Sequence, residues 1–524
     1  MNRIKFFGLL LAVAIVVSLC ACAGSNPSMV AAADNPTDNA SVNASAGKDT
    51  LIAGVFIDPI DMDPSSHNDQ AIHLMKRQMY ETLLSMDADG NLVPELCTEW
   101  NWIDSTTLVL KLREGVKFHS GGELRASDVL FSFKRIKESR FADIAATFMD
   151  LENSKALDDY TVQLKLTKPY AAQLNYFNWQ LTAMQSEEGY NQIGGDYNKM
   201  SIGTGPYKLV SYVKDSELVL EAFDEYWESG KPFIPNLVFR IIPDENSRTM
   251  ELESGGIDVA LNLADASVER LKQNPNLTVL TKPSYSFGYM YFNLENKYLS
   301  DYNIRKAIYM AVDWASLVPA ACGPRGSFPD AFFAPGVEGS LKTDFLPAYD
   351  PEGAKQLLRD SGYIDGQIQI NMYTSNMEVR VRMCELMQAF LRDVGINMNV
   401  VVMETAAWNE AFLNREHDLV NIAFFALTGE AGRVLINWHS DNIYQAATNW
   451  SSPQYDKLIE EARAELDKET RVQKYQEAQK MILDELVSFP LVQYHLLVGT
   501  QANVKGLVLD PSFERHMFKN IYFE

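Results

Sequence analysis

Alternation of apolar and polar residues marks several strands along the chain. Leu108, Leu110 and Leu112 alternate with polar neighbours, and Val116 and Phe118 resume the pattern after Glu114-Gly115, which predicts a hairpin. Val162, Leu164 and Leu166 form a second alternating run, and Leu218, Leu220 and Ala222 a third. Elsewhere the apolar positions recur at helical spacing. Ile304, Ile308 and Ala311 follow a cap at Asn303. Met383, Met387, Phe390 and Val394 share one helix face, stopped by Gly395. Val472, Tyr475, Gln479, Ile482 and Leu486 mark another. None of these faces sustains several heptads, so each predicts a core-facing helix and not a coiled coil. Strands and helices interleave throughout, which predicts a mixed α/β class.

The first residues follow a different pattern. Arg3 and Lys5 precede Phe6 to Leu19, a stretch without charge that is shorter than the ~20 residues a spanning helix needs. Leu19-Cys20-Ala21-Cys22 follows and resembles a bacterial lipobox, with Leu19 three residues before Cys22 and the small Ala21 just before it. This predicts a lipoprotein signal peptide over residues 1–21 and lipidation of Cys22. The alternatives are a plain cleaved signal with incidental cysteines and an uncleaved anchor. Residues 22–48 are rich in Ala, Ser, Asn, Asp and Gly without apolar period. They predict a flexible tether, whose r.m.s. reach is roughly 28 Å for a chain of this type.

Length and charge narrow the rest. A chain of 524 residues exceeds one ordinary core, so two or three lobes are expected. A formal charge of −23 repels phosphate backbones and argues against nucleic-acid binding. Past Cys22 only Cys97, Cys322 and Cys384 remain. An odd count implies no disulfide framework, and each is expected to be a buried small hydrophobe, although one disulfide with one free thiol is compatible with an oxidising compartment. No nucleophile elbow, H-E-x-x-H or phosphate-binding loop occurs, and no two of the seven histidines stand at i, i+4. Gly203-Thr204-Gly205-Pro206 reads as a tight turn, because Pro206 lacks the amide that a phosphate cradle would use.

Four ordered segments carry a resemblance. They are Leu92-Val93-Pro94-Glu95-Leu96-Cys97-Thr98-Glu99-Trp100 with Leu108 to His119 and Ala126-Ser127-Asp128-Val129; Gly203-Thr204-Gly205-Pro206-Tyr207 with Tyr226-Trp227; Tyr291-Phe292-Asn293 with Ile304-Arg305-Lys306-Ala307-Ile308 and Ala311-Val312-Asp313; and Ala411-Phe412-Leu413 with His417-Asp418. Together they resemble the extracellular solute-binding proteins that include the dipeptide-, oligopeptide- and nickel-binding components of ABC importers. The resemblance runs over nearly the whole chain from about Leu51. It implies an α/β, two-lobed, hinged periplasmic-binding-protein-like fold of class II, of the large cluster with an extra domain on the first lobe. Residues 49–75, 206–290 and 490–524 would form lobe I, residues 76–205 the extra domain, and residues 291–489 lobe II. Two crossings between lobes make a hinge.

The same resemblance implies a binding protein with no catalytic residue, no cofactor and no metal. Its partners would be a peptide ligand, the permease and ATPase subunits of an importer, and the membrane through the lipid, with the protein itself a monomer. Peptide binders of this kind pair the peptide α-ammonium with an acid of lobe II. Glu430, in Thr428-Gly429-Glu430-Ala431-Gly432, stands at that place, and Arg433 replaces the acid usual shortly after it. Trp408 is expected to face the cleft. His67, Asn68 and Asp69 belong to a loop that approaches it, and Tyr289 and Arg380 are further candidates by segment position. An oligosaccharide or metal-chelate binder on the same fold, and a peptide-signal receptor without transport, are the alternative readings.

Overall fold

In the computed structural model, which describes residues 48–87 and 90–524, one mixed sheet of eleven strands runs through the molecule. Cys22, the signal segment and the tether up to residue 47 lie outside the described residues. Two long antiparallel strands, Leu277–Phe292 and Ser488–Gln501, occupy the middle of the sheet. A strand of 16 residues extends about 54 Å, enough to cross from one lobe into the other. On one flank lie Val259–Leu261, Thr50–Val55, Asn236–Ile241, Glu217–Ala222 and Tyr207–Val213 in that order. On the other lie Leu419–Phe425, Ile368–Ser375 and Ile396–Met403.

The long pair is interrupted where it passes between the flanks. The register runs from Leu277↔Gln501 to Pro283↔His495 and resumes at Phe287↔Gln493. Pro283 has no amide to donate, so the ladder cannot continue through it. Ser284, Tyr285 and Ser286 then oppose Tyr494 alone, which is a β-bulge. Its polar groups are satisfied locally: the Ser284 hydroxyl donates to the Tyr494 carbonyl (2.9 Å), and the Gln493 amide donates to the Ser284 carbonyl (2.7 Å). The Tyr285 amide donates to the Pro511 carbonyl at 2.8 Å. A second irregularity follows between Gly288↔Val492 and Tyr289↔Pro490.

Separate apolar clusters sit on either side. One is built on Phe292, Ile308, Met372, Met387, Trp438 and Ile482, another on Leu51, Tyr80, Leu218, Phe239 and Phe518. A further core, drawn from Leu83 to Met184, lies under a sheet of its own made by Cys97–Asp104, Thr107–Leu112, Thr161–Leu166 and Met149–Asp158. The alternation at Leu108 to Leu112 and at Val162 to Leu166 thus marks adjacent strands of this small sheet. The hairpin expected with Val116 and Phe118 does not form. Thr107–Leu112 pairs instead with Cys97–Asp104 and Thr161–Leu166, while Val116 and Phe118 pack beneath as buried loop residues.

The predicted helices occur at Tyr302–Ala311, Glu378–Asp393 and Lys468–Asp484. The first is capped two residues earlier than expected, by Asp301, whose carboxylate accepts from the Asn303 amide. Gly395, at φ +84°, follows the second. Gly203 and Gly205 serve close approach more than turning: a Cβ on Gly203 would lie 2.2 Å from the Met79 carbonyl oxygen. Cys97, Cys322 and Cys384 are buried and unpaired, as small core residues. Among the described residues no helix is long and apolar enough to cross a membrane.

Candidate functional site

Beside the bulge lies a cavity of about 600 Å³, within the range of small-molecule sites. Its floor is the irregular part of the long strands, with Ser284, Ser286, Tyr494 and His495. One wall brings together Phe56, Asn68, Asp69, Trp179 and Phe513 from distant parts of the sequence. The opposite wall carries Phe424, Phe425, Thr428, Arg433, Asn437 and Tyr444. Phe425 and Tyr444 are exposed at this wall, and Phe424 meets Tyr444 edge to face at 4.9 Å. Such aromatic walls suit varied side chains, since they offer area without demanding one hydrogen-bond pattern.

The strand Leu419–Phe425 borders the cavity with an open edge. It pairs with Leu277–Phe292 along its whole length, from Phe292↔Leu419 to Ser286↔Phe425. Its other neighbour, Ile368–Ser375, pairs only through Met372↔Leu419 and Tyr373↔Val420 and then diverges. Beyond Val420, among the described residues, no strand lies along that edge, and Ala423, Phe424 and Phe425 line the cavity there. An edge of this kind presents backbone donors and acceptors to an added strand.

The sequence candidates divide. Asn68, Asp69 and Arg433 line the cavity. Asp69 also caps the helix Gln70–Lys76, with one carboxylate oxygen accepting from the Ala71 amide at 2.9 Å. His67, from the same loop, is turned into the loop's own network. Its Nδ1 lies 2.7 Å from the Ser66 hydroxyl, and its carbonyl meets His73 Nε2 at 2.7 Å. Lys76 fixes that loop through Asp61, the Asp63 carbonyl and the Ser66 hydroxyl.

Glu430, which the resemblance sets against a peptide α-ammonium, here makes its hydrogen bonds within its own loop. It is fully buried and does not line the cavity. One carboxylate oxygen accepts from the Gly432 amide at 2.9 Å and the other from the Arg433 amide at 3.0 Å. Burial pushes its carboxyl pKa up, against the Tyr475 hydroxyl and the Gly432 amide, which pull it down. In this arrangement Glu430 shapes the loop that presents Arg433.

Tyr289 is also a core residue, donating to the Phe332 carbonyl at 2.9 Å among Phe332, Phe333 and Trp438. Trp408 stacks on Phe412 and is buried away from the cavity. Arg380 lies 5.7 Å over the Trp408 ring and faces the Tyr494 hydroxyl, so it meets the cavity only through Tyr494.

Sequence reasoning missed Arg325, Trp179 and the Phe424–Tyr444 pair. Arg325 is held by Glu245, Asp265 and Asn262. Trp179 had a signal: Gln173, Asn175, Asn178 and Gln180 surround it, and all four are buried. So many amides in a buried segment mark an interface and not plain core.

The family described as bacterial extracellular solute-binding proteins, family 5 middle, matches residues 91–446. The dipeptide-binding protein of Escherichia coli (strain K12) is 28% identical over 83% of this chain and 86% of its own. Among solved structures, the ABC transporter-associated periplasmic binding protein DppA of Helicobacter pylori in complex with the peptide STSA superposes with a TM-score of 0.73 at 24% identity, over 91% of this chain and 98% of that one. The periplasmic murein tripeptide binding protein MppA in its unliganded open form reaches 0.81 at 20% identity, over 91% and 99%. The fold is therefore the two-lobed one, and the chain superposes better on the open form than on the peptide complex.

Proposed function

Since this chain belongs to the bacterial extracellular solute-binding proteins of family 5, we propose that it captures short peptides between its two lobes and presents them to the permease and ATPase subunits of an ABC importer. The observation that carries this reading is the open edge of Leu419–Phe425 along the cavity. A peptide backbone has the same spacing of donors and acceptors as a strand, so an extended peptide satisfies that edge, whereas a sugar does not. The aromatic walls then take its side chains.

The bulge supplies the motion. At residues 284–286 and Tyr494, and again between Gly288 and Tyr289, the long strands lack a regular ladder with each other, so rotation there breaks few of their mutual hydrogen bonds. Open and closed forms separated by a few kcal/mol are shifted by a ligand that touches both walls only when they meet. The importer subunits read the closed shape. No covalent step belongs to this cycle. The body works as a monomer on the outer side of the cell membrane, held by the lipid on Cys22 and the tether over residues 22–48.

The test is native mass spectrometry of the protein, unfolded and refolded to strip it of ligand, then mixed with defined di- to pentapeptides and with oligosaccharides of similar mass. Peptide adducts, with a smaller radius of gyration in X-ray scattering, are expected. Adducts with oligosaccharide alone would overturn the reading.

A further inference from the structure

We propose that Arg325 is a clasp between the lobes, which holds them in the arrangement that leaves the cavity open. The inference rests on the peptide reading above and adds what opposes closure. Arg325 follows the helix Trp314–Cys322, whose Leu317, Val318 and Ala321 pack in the same cluster as Met372 and Trp438. It therefore moves with lobe II. Its guanidinium reaches into lobe I. Nη2 donates to the Glu245 carboxylate at 2.8 Å and to the Leu263 carbonyl at 2.6 Å, while Nε donates to Asp265 and Nη1 to the Asn262 side chain. Glu245 opens the helix Glu245–Ser254. Leu263 packs with Leu252 of that helix and with Ala260 of the strand Val259–Leu261.

The seat on lobe I is held in shape without Arg325. Arg248, 1% exposed, donates to the carbonyls of Ile242, Pro243, Leu261 and Asn262. The Ala264 amide donates to the Thr249 hydroxyl at 3.2 Å. These bonds fix the loop from Asn262 to Asp265, so its acceptors face Arg325 in a set geometry. The other end of the clasp is just as firmly attached. Gly326 and Ser327 pair with Tyr494 and Gln493 at the bulge, and His495 Nε2 lies 3.0 Å from the Ser327 hydroxyl. Arg325 thus stands one residue from the hinge. A guanidinium is a planar fork whose bonds to carboxylates demand one orientation. Rotation at the bulge swings the fork against its seat and takes it out of line. In the present arrangement the cavity walls stand apart, with Phe425 and Tyr444 46% and 36% exposed. The bonds of Arg325 stabilise that arrangement, and a ligand that closes the lobes must outbid them.

Closed fraction and apparent affinity are linked, because a ligand that fits the closed form meets only the population already closed. The main variant is Glu245→Gln with Asp265→Asn. It keeps the shape of the seat and removes its charge, and neither residue lines the cavity, so a direct loss of ligand contact is avoided. Arg325→Gln and Arg325→Lys accompany it. Dyes at Ile103→Cys and Ile364→Cys, exposed positions on opposite lobes, report the closed fraction of ligand-free protein by single-molecule energy transfer. Native mass spectrometry with a randomised tripeptide mixture reports the apparent affinity. Closed fraction and affinity are both expected to rise about three- to tenfold in the double acid variant and in Arg325→Gln, the range for a network of partly exposed ion pairs. Arg325→Lys, which keeps the charge without the fork, falls between. Salt at about 0.5 M raises the closed fraction of the wild type and leaves that of the double acid variant unchanged. A closed fraction equal to or below that of the wild type in the double acid variant overturns the clasp, as does a higher fraction while tripeptides bind with unchanged affinity. A raised closed fraction with no tripeptide bound by any of the proteins overturns the peptide reading and leaves the clasp standing.

Discussion

Glu430→Gln separates the place that family resemblance implies for this residue from the place in which it stands. Its two oxygens accept from two different backbone amides, of Gly432 and Arg433. Glutamine offers one acceptor oxygen and turns an NH₂ toward the other amide, donor against donor. A hydrogen bond to a charged group contributes roughly 1.5–3 kcal/mol, and one such bond is lost while a buried amide is left unmade, so the expected destabilisation is about 2–4 kcal/mol. Urea unfolding followed by tryptophan fluorescence reads this as a lower midpoint at an unchanged slope. Because the carboxylate does not line the cavity, peptide affinity by calorimetry should fall by less than about tenfold, or ~1.4 kcal/mol. An unchanged urea midpoint with a loss of thirtyfold or more, confined to peptides with a free α-amine, would refute the structural role. It would put Glu430 on the ligand in the closed form.

His516 is fully buried and its Nδ1 accepts from the Asp510 amide at 2.9 Å, which only the unprotonated ring can do; burial holds its pKa down at about 4. The unfolded chain therefore binds the proton first, and stability should drop by about 3 kcal/mol as pH falls from 6.5 to 4; His516→Asn should lose that part of the slope in urea titrations across the window. Arg77 and Glu95 form a buried pair at 2.9 Å, so Arg77→Met should cost about 3–5 kcal/mol by urea midpoint, with part recovered in the double variant carrying Glu95→Gln. Cys22→Ser should abolish lipid labelling in cells, while Cys20→Ser should leave it; labelling of the Cys22 variant would defeat the lipobox assignment.

What the sequence made legible was local. Alternation cannot say which strands pair, but it did identify Val162 to Leu166 and Leu218 to Leu220 as buried strand positions. Tyr475, Gln479 and Ile482 fall on one buried helix face, as their spacing predicts. The hairpin failed because Thr107–Leu112 found longer partners on both sides, a choice that depends on residues some fifty positions away. Asp301 displaced Asn303 as the cap because both residue types cap well and only geometry selects between them. The cavity was the least legible part. Phe56 and Phe513 share a wall although they come from opposite ends of the described chain, and no periodicity encodes that meeting. Asn68, Asp69 and Arg433, which family resemblance singled out, line the cavity, whereas Glu430, singled out in the same way, has its carboxylate on the backbone amides of Gly432 and Arg433.

The strand Ser488–Gln501 has a consequence for how the chain reaches its native state. It joins both flanks of the sheet, and across the bulge it bonds to residues some 210 positions earlier in the sequence. Contacts of such separation are slow to form, since a long loop must close before any of them is rewarded. Until residue 488 is available, Leu277–Phe292 and Val259–Leu261 each have one edge uncovered, and both lobes are incomplete together. A chain cut short before residue 488 would thus leave both lobes incomplete and not one, and would offer aggregation-prone edges in their place.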